Sequence, residues 1–252
     1  MKNLFLFDVD GTIADSSQKI IDEMAIVLNG LKKENVEIGI VGGGKLDKIL
    51  DQMDNKVVFN HYFSECGTIY HYNCSNIKNE IELKEIYKKN IRYHHTYIKI
   101  NILVKHCLNF LSNVDYILSG HFVDLRSGII YISLIGLTAT LEERAYFMNL
   151  NKLNNYRSKL IQSLKNLSIN LKISNKVDIV EGGSVGIAIY QSEYDKIQVL
   201  DCFSELEYDK IYYFGDKYEL NGNDYKLLND KRVIGVKVDN FQDTIKYIVS
   251  NF

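Results

Sequence analysis

Proline is absent from this chain of 252 residues, where an average usage of about 5% predicts roughly a dozen. With abundant Asn, Lys and Ile, that absence marks compositional drift in the coding sequence. An unusual residue at a given position is therefore not in itself an adaptation. No apolar run approaches the roughly 20 residues that span a bilayer, which excludes a membrane-spanning helix. The N-terminus offers one lysine, then Leu4 to Phe7, then acid. That is too short and too soon interrupted for a secretory signal, so the expected location is cytoplasmic. A net charge of −2 gives no electrostatic reason to expect nucleic acid or an anionic membrane as partner. Cys66, Cys74, Cys107 and Cys202 form no C-x-x-C pair and have no histidines at zinc-finger spacing, so they read as reduced fillers.

What is present is ordinary for a soluble globular protein: 46% apolar and 25% charged residues, in a chain long enough for one large domain or two small ones. Leu4 to Phe7 form a continuous apolar run ending in acid and glycine, as expected of a strand buried on both faces of a parallel sheet. A helix is expected from about Ser16 to Leu31, a strand over Val36 to Val41 stopped by Gly42, Gly43 and Gly44, a helix over Lys45 to Met53, and a third strand at Val57 to Phe59. That alternation reads as a doubly wound α/β sheet. From Glu82 to Asn109 the chain reads as helical and basic. His121 to Ser133 alternates like half-exposed strands. Helices are expected near Thr140 to Leu150, with Thr140 as cap, and near Asn155 to Leu167. A strand near Val177 to Ile189 is broken by Gly182 and Gly183. The α/β pattern then returns, with strands at Ile211 to Phe214 and Val233 to Val238 and a closing helix around Asp243 to Val249.

The chemistry concentrates at Phe7-Asp8-Val9-Asp10-Gly11-Thr12, where the first strand ends. Strand residues two apart share a side, so Asp8 and Asp10 can both face a site at the carboxyl edge, where open α/β sheets bind ligands. Two such carboxylates repel unless a cation offsets them, which points to Mg²⁺. With the charge offset, Asp8 can attack phosphorus and Asp10 can act as acid and base. Gly11 permits the sharp exit, and the Thr12 hydroxyl can fix Asp10 or the phosphate. The competing reading is an acidic helix cap after a core strand.

A second acidic element is Tyr213-Phe214-Gly215-Asp216, followed by Asn221-Gly222-Asn223-Asp224. Asp216 and Asp224 could complete a magnesium shell with Asp8 and the Asp10 carbonyl. Lys196 is a candidate for neutralising phosphoryl oxygens and Asp8, although alone it reads as an exposed lysine opening a helix. Gly43 and Gly44 can present N–H groups to a phosphate, and a turn without ligand competes with that. His94 and His95 are expected to point opposite ways on a strand, and the basic run from Lys84 to Lys105 reads as a solvated helix face. The 18 tyrosines give no stacking code for nucleic acid.

These motifs, with Gly39 to Gly43, Phe63-Ser64-Glu65, Gly67-Thr68, Phe122 to Arg126 with Gly128, Ile135-Gly136 and Thr140 to Arg144, resemble nearly end to end the eukaryotic-type phosphomannomutases. These are a branch of the haloacid dehalogenase (HAD) superfamily. The resemblance implies an α/β fold: a Rossmann-like core with a parallel sheet over residues 1–81 and 186–252, and an inserted α+β cap over 82–185. It also implies a nucleophilic Asp8, acid/base Asp10, magnesium at Asp8, Asp10 and Asp216, a cap closing over a phosphorylated sugar, and a homodimer through the caps.

The match fails at recognition. The family's substrate arginines are replaced by Ser17, Ser119 and Leu137, leaving Arg126 of the cap set. The serine and aspartate of its sugar-contacting strand correspond to Gly186 and Ala188, and a serine of the glycine turn to Gly44. Charged hydrogen bonds are worth roughly 1.5–3 kcal/mol each. Three losses therefore amount to several kcal/mol, on the order of 10³-fold or more in transition-state binding. His121, Arg157 and the lysines near Lys105 are possible replacements, though each reads first as solvated surface. Three readings stay open: a hexose phosphate mutase, a phosphohydrolase sharing the Asp8 phosphoenzyme, and a non-catalytic binding homologue.

Overall fold

Leu4 to Phe7 have at most 1% of their surface exposed, and side chains from the two sides of this strand enter different cores. Phe5 and Phe7 pack with Met24, Leu28, Ile49 and Ile248, whereas Leu4 and Leu6 pack with Val199, Leu200, Tyr213 and Leu227. A strand covered on both faces needs helices or turns on both, and the topology supplies them. The computed structural model describes residues 2–77, 80–204, 206–220 and 222–252. They divide into two compact units, Met1–Lys89 with Tyr194–Phe252, and Asn90–Glu193.

The first unit is a seven-stranded sheet. Its strands in chain order are β1 (Asn3–Phe7), β2 (Val36–Val41), β3 (His61–Ser64), β4 (Ile69–Asn73) and β5 (Leu83–Lys88). In the second unit follow β6 (Val123–Leu125), β7 (Ile129–Ser133), β8 (Val177–Gly182) and β9 (Gly186–Gln191), and then β10 (Lys210–Gly215) and β11 (Ile234–Lys237) return to the first. The spatial order of the large sheet is β11-β10-β1-β2-β3-β4-β5, parallel from β11 to β3 and antiparallel beyond. Helices α1 (Asp22–Leu31) and α2 (Leu46–Met53) connect its first strands. In α1 the buried residues are Met24, Ala25, Leu28 and Leu31, a helical stripe toward the sheet.

The second unit is an antiparallel sheet, β6-β7-β9-β8, backed by α3 (Tyr97–Leu111) and α5 (Tyr156–Asn170), with α4 (Leu141–Asn154) between them in the chain. Ile130, Ile132, Ile187 and Ile189 are buried on one sheet face, as are Ile100, Leu103 and Cys107 of α3 and Leu160 and Leu164 of α5. Helix α4 buries only Phe147. Its start is fixed locally by a capping box: Thr140 Oγ1 accepts from the Glu143 N–H at 3.2 Å and Glu143 Oε2 accepts from the Thr140 N–H at 2.7 Å. The chain closes with α6 (Tyr225–Leu228) and α7 (Phe241–Asn251) on the first unit. No helix of the described residues is long and apolar enough to cross a membrane.

Several elements differ from expectation. Val57 to Phe59 is buried chain without strand pairing, and the third strand starts two residues on, at His61, where pairing with Gly39 begins. Leu83–Lys88 is not the start of a helix but edge strand β5 beside β4, its alternation masked by the lysines suited to an exposed edge. Because β5 stays with the core sheet and β9 with the small one, each chain crossing falls eight residues later than expected, at 90 rather than 82 and after 193 rather than 185. His94 and His95 lie between elements and not on a strand, and their ring centroids are 4.2 Å apart. The segment before α1, expected to be helical from Ser16, is turn and extended chain up to Ile21.

Candidate active site

Strands β1 and β10 run side by side and in parallel, with Phe7 opposite Phe214, so the chain leaves both at the same edge. Asp8 follows the first and Asp216 the second. A Cβ placed on Gly11 would come within 2.5 Å of Asp216 Oδ2, and Gly11 adopts φ +89°. Only glycine combines that backbone with that approach. A Cβ on Gly215 would likewise meet the Asp224 carboxyl carbon at 2.7 Å. The two glycines thus bring the acidic side chains together. Asp8, Asp216 and Asp224 each offer a carboxylate oxygen, and these atoms lie within 4.8 Å of one another.

Lys196 stands among them. Its side chain is fully enclosed, and Nζ donates to Asp8 Oδ1 at 2.5 Å, to Asp224 Oδ1 at 2.7 Å and to the Tyr213 hydroxyl at 3.5 Å. The reading that competes with a role beside Asp8, an exposed lysine opening a helix, does not hold: Lys196 opens a 3-10 turn, Lys196–Cys202, whose inward face also carries Gln198, Val199 and Leu200. Tyr213 donates to Asp224 Oδ1, and the Lys217 N–H donates to Asp224 Oδ2 at 3.0 Å. Burial pushes the Asp8 carboxyl up to about 8; Lys196 pulls it down, but Asp224 and Asp216 add to the rise. Burial also raises Asp216, against its partner Lys217. For Lys196 burial works toward loss of the proton, yet Asp224 and Asp8 hold it well above the ordinary lysine value.

The donor set fits a hard divalent cation. All available groups are oxygens, and Asp216 Oδ1 and Asn223 Oδ1 are buried without a hydrogen-bond partner, as metal-binding oxygens are before the ion arrives. Asn221 of the same motif lies outside the described residues. The Asp10 carboxylate is not in this group. It turns to helix α2, where Gln52 Nε2 donates to Oδ1 at 2.9 Å and Lys48 Nζ to Oδ2 at 3.2 Å, and the Ser17 N–H donates to Oδ1 at 2.8 Å. Burial would raise Asp10, but Lys48, Ser17 and Gln52 outweigh it and hold the carboxyl below its usual value. Lys48 and Gln52 are four apart on one helix, hence on one face. No local signal in the sequence points to them, because their partner is remote in the chain.

The remaining expected positions are placed as follows. The Thr12 side chain is fully buried and its hydroxyl has no hydrogen-bond partner. The glycine turn is tied to the loop after β3: Cys66 N–H to Gly42 O and Glu65 N–H to Gly44 O, both 3.0 Å. Gly43 makes room for no close neighbour, since a Cβ there would stand 3.8 Å from Cys66 Sγ. In the second unit Arg126 Nε donates to Asp124 at 2.7 Å and the guanidinium lies 5.4 Å from the Tyr131 ring centroid. Arg157, expected at the surface, is instead buried and donates to the carbonyls of Gly183, Ser184 and Gly186. Arg144 holds the carbonyls of Ala139 and Leu137. Burial pushes the Tyr131 phenol up, while Arg144, Arg157 and Arg126 all pull it down. A Cβ on Gly186 would come within 2.4 Å of Tyr131 Cζ, so that ring fills the space a side chain at 186 would need.

A model of the family described as eukaryotic phosphomannomutase matches residues 24–252. The chain is 31% identical over 249 residues to phosphomannomutase 1 of Homo sapiens, covering 96% of this chain and 89% of that one. It is also 31% identical over 254 residues to the phosphomannomutase of Encephalitozoon cuniculi (strain GB-M1), at 98% and 92% coverage. Among solved structures it is similar to N-terminally truncated, IMP-bound Plasmodium falciparum IMP-nucleotidase, with a TM-score of 0.65 at 16% identity over 99% of this chain and 68% of that one. It is similar too to the sucrose-phosphatase of Synechocystis sp. PCC6803 in complex with sucrose and phosphate, with a TM-score of 0.52 at 13% identity over 100% and 89%. These structural likenesses speak for the fold.

Proposed function

The chain belongs to the eukaryotic phosphomannomutase family and is an HAD-type phosphotransferase, and from that premise we propose that it moves a phosphoryl group between the 6- and 1-positions of a hexose phosphate. Mannose phosphate is the substrate the family indicates. The observation that carries this reading is the enclosed group of Asp8, Asp216 and Asp224 around Lys196 at the carboxyl edge of β1 and β10. Burial makes Asp8 resist ionisation, and with one ammonium shared by two buried carboxylates the negative charge of Asp224 and Asp216 adds to that resistance. Asp8, Asp216 and Asp224 would hold Mg²⁺, which would supply the missing charge for Asp8 and for the phosphoryl oxygens.

Asp8 then attacks phosphorus, the bond from phosphorus to the sugar oxygen breaks, and an aspartyl-phosphate forms. Lys196 holds Asp8 in line and offsets charge on the transferring group. Asp10 supplies the proton to the departing oxygen and takes one from the hydroxyl that receives the phosphate. Paired with Lys48, Ser17 and Gln52 it is a stabilised carboxylate with lowered affinity for a proton. Leaving that pairing raises its affinity for one and makes it an acid. Cytoplasmic location and a homodimer through the caps belong to the same proposal, by family.

A second reading, phosphohydrolysis, is favoured by Ser17, Ser119 and Leu137. Ser119 Oγ is spent on Glu143 at 2.7 Å and Leu137 has no polar side chain, so the far phosphate of a bisphosphorylated intermediate has fewer holders than in the family. Incubation with Mg²⁺, mannose 1-phosphate and a hexose bisphosphate activator separates the two. The mutase yields the 6-phosphate and the hydrolase yields inorganic phosphate. Activity that survives Asp8→Asn would remove Asp8 as nucleophile.

A further inference from the structure

Lys89 and Tyr194 are the residues at which the chain leaves the first unit and returns to it. The Lys89 ammonium lies 5.5 Å from the Tyr194 ring centroid and 5.7 Å from that of Tyr87, both cation–π distances. The same ammonium donates to Gln198 Oε1 at 2.6 Å. Gln198 is buried, and its Nε2 donates to the Cys66 carbonyl at 2.9 Å. The Lys89 N–H is fixed as well, on the Thr68 carbonyl at 2.8 Å. One half-buried side chain therefore touches both ends of the junction and one end of a buried amide.

That amide joins the turn that carries Lys196 to the loop that holds the glycine turn. Gln198 is two residues beyond Lys196 in the same 3-10 turn. Cys66 belongs to the loop whose N–H groups hold the Gly42 and Gly44 carbonyls of the glycine turn. The two segments meet without slack, since a Cβ on Gly67 would come within 2.5 Å of Val199 Cγ1 and 3.3 Å of Gln198 Cγ. Lys196 is enclosed, so where its ammonium sits is set by where the turn sits. With a cation on Oε1, the Gln198 amide has one orientation, N–H toward Cys66. Without it, a buried amide oxygen loses its donor.

We propose that Lys89 is a positioning residue for phosphoryl transfer. It fixes Gln198, and through Gln198 it seats both the Lys196 turn against Asp8 and the loop that carries the glycine turn. The proposal rests on the reading that Asp8 and Lys196 perform that transfer, but the seating can be read without it.

The test compares Lys89→Met, which keeps the stem and loses the charge, with Lys89→Arg, which keeps the charge. Lys89→Met is expected to lower kcat about tenfold with KM changed less than about twofold, because alignment and not substrate contact is lost. Lys89→Arg retains most of kcat. Backbone hydrogen exchange rises in Lys89→Met at 65–68 and 196–202 and is unchanged in β1 and β2. Unchanged exchange in those segments overturns the proposal, as does an unchanged kcat, or equal loss in the methionine and arginine variants. If the wild type transfers no phosphate, the proposed function falls. Exchange rising in the two segments alone still upholds the seating.

Discussion

The ammonium of Lys196, with none of its surface exposed, lies 2.5 Å from Oδ1 of Asp8. A buried lysine is tolerated only where carboxylates repay its lost hydration, and a buried carboxylate likewise. Here the repayment is incomplete on the acidic side, since Asp8 and Asp224 share one enclosed ammonium and an oxygen of Asp216 lies within 4.8 Å of theirs. Lys217, paired with Asp216, is 63% exposed and so a screened partner.

Lys196→Met removes the cation from between Asp8 and Asp224 and leaves two buried carboxylates facing each other. Breaking one side of a buried ion pair costs about 3–5 kcal/mol, and part of this returns on adding Mg²⁺, which takes over the neutralisation. The rate is not recovered in parallel, because the group aligned with Asp8 is gone; kcat falls by about 10²-fold or more. Urea unfolding and single-turnover kinetics measure the two losses separately. A midpoint equal to wild type would show that the pair contributes nothing.

Lys48→Met removes the ammonium from Asp10 Oδ2 and leaves Ser17 and Gln52 on Oδ1. Lys48 is among the groups that hold the Asp10 carboxyl below its usual value, so the variant titrates at higher pH than wild type. The acidic limb of the kcat/KM profile then moves to higher pH, with the alkaline limb in place. A profile superimposable on wild type would mean that Asp10 leaves Lys48 before it acts.

The sheet and its acidic edge were legible because their signals are local. Four consecutive apolar residues before Asp8 need no partner to read as a doubly covered strand, and Thr140 with Glu143 three residues on names its own helix start. What was not legible depends on residues far away in the chain. Lys196-Ile197-Gln198-Val199 carries a mixed pattern that fits a surface helix, and only β10 and the acids around it make the lysine internal. Ser17 takes φ +61°, a left-handed turn that brings its N–H to Asp10, and nothing in Asp15-Ser16-Ser17 announces it. The charges of Leu83-Lys84-Glu85-Ile86-Tyr87-Lys88 suit a helix, whereas an edge strand tolerates the same charges and pairs with β4.

Thr140→Ala tests the capping box of α4 where little else holds the helix, because Phe147 is its one buried residue. Loss of the Oγ1 bond to the Glu143 N–H costs about 1 kcal/mol. Glu143 also accepts from Ser119 Oγ, so the loss extends to the segment before β6. The expected result is a Tm lower by a few degrees with phosphoryl transfer to Asp8 unaffected. Thr140→Ser restores the wild-type midpoint if the cap, and not the methyl group, is what matters.

The Asp8 carboxyl predicts how stability depends on pH before metal is added. Its folded value, about 8, lies above the unfolded value of 3.8. A raised carboxyl favours folding while it keeps its proton; that contribution is complete below about pH 4 and is lost as pH rises through 8. Asp8→Asn never ionises and loses nothing over the same window. Groups remote from the site titrate alike in both proteins, so the difference between them reports Asp8 together with the charges it touches. In EDTA, Asp8→Asn should therefore gain on wild type between pH 5 and 8, with a slope of at most about 1.4 kcal/mol per pH unit. Mg²⁺ binds the ionised form, so its stabilisation of wild type should grow over the same interval and be weak in Asp8→Asn. Urea unfolding at three pH values, with and without Mg²⁺, decides it. Parallel curves for the two proteins would mean that Lys196 alone satisfies Asp8, and the argument for a second cation at this site would fail with them.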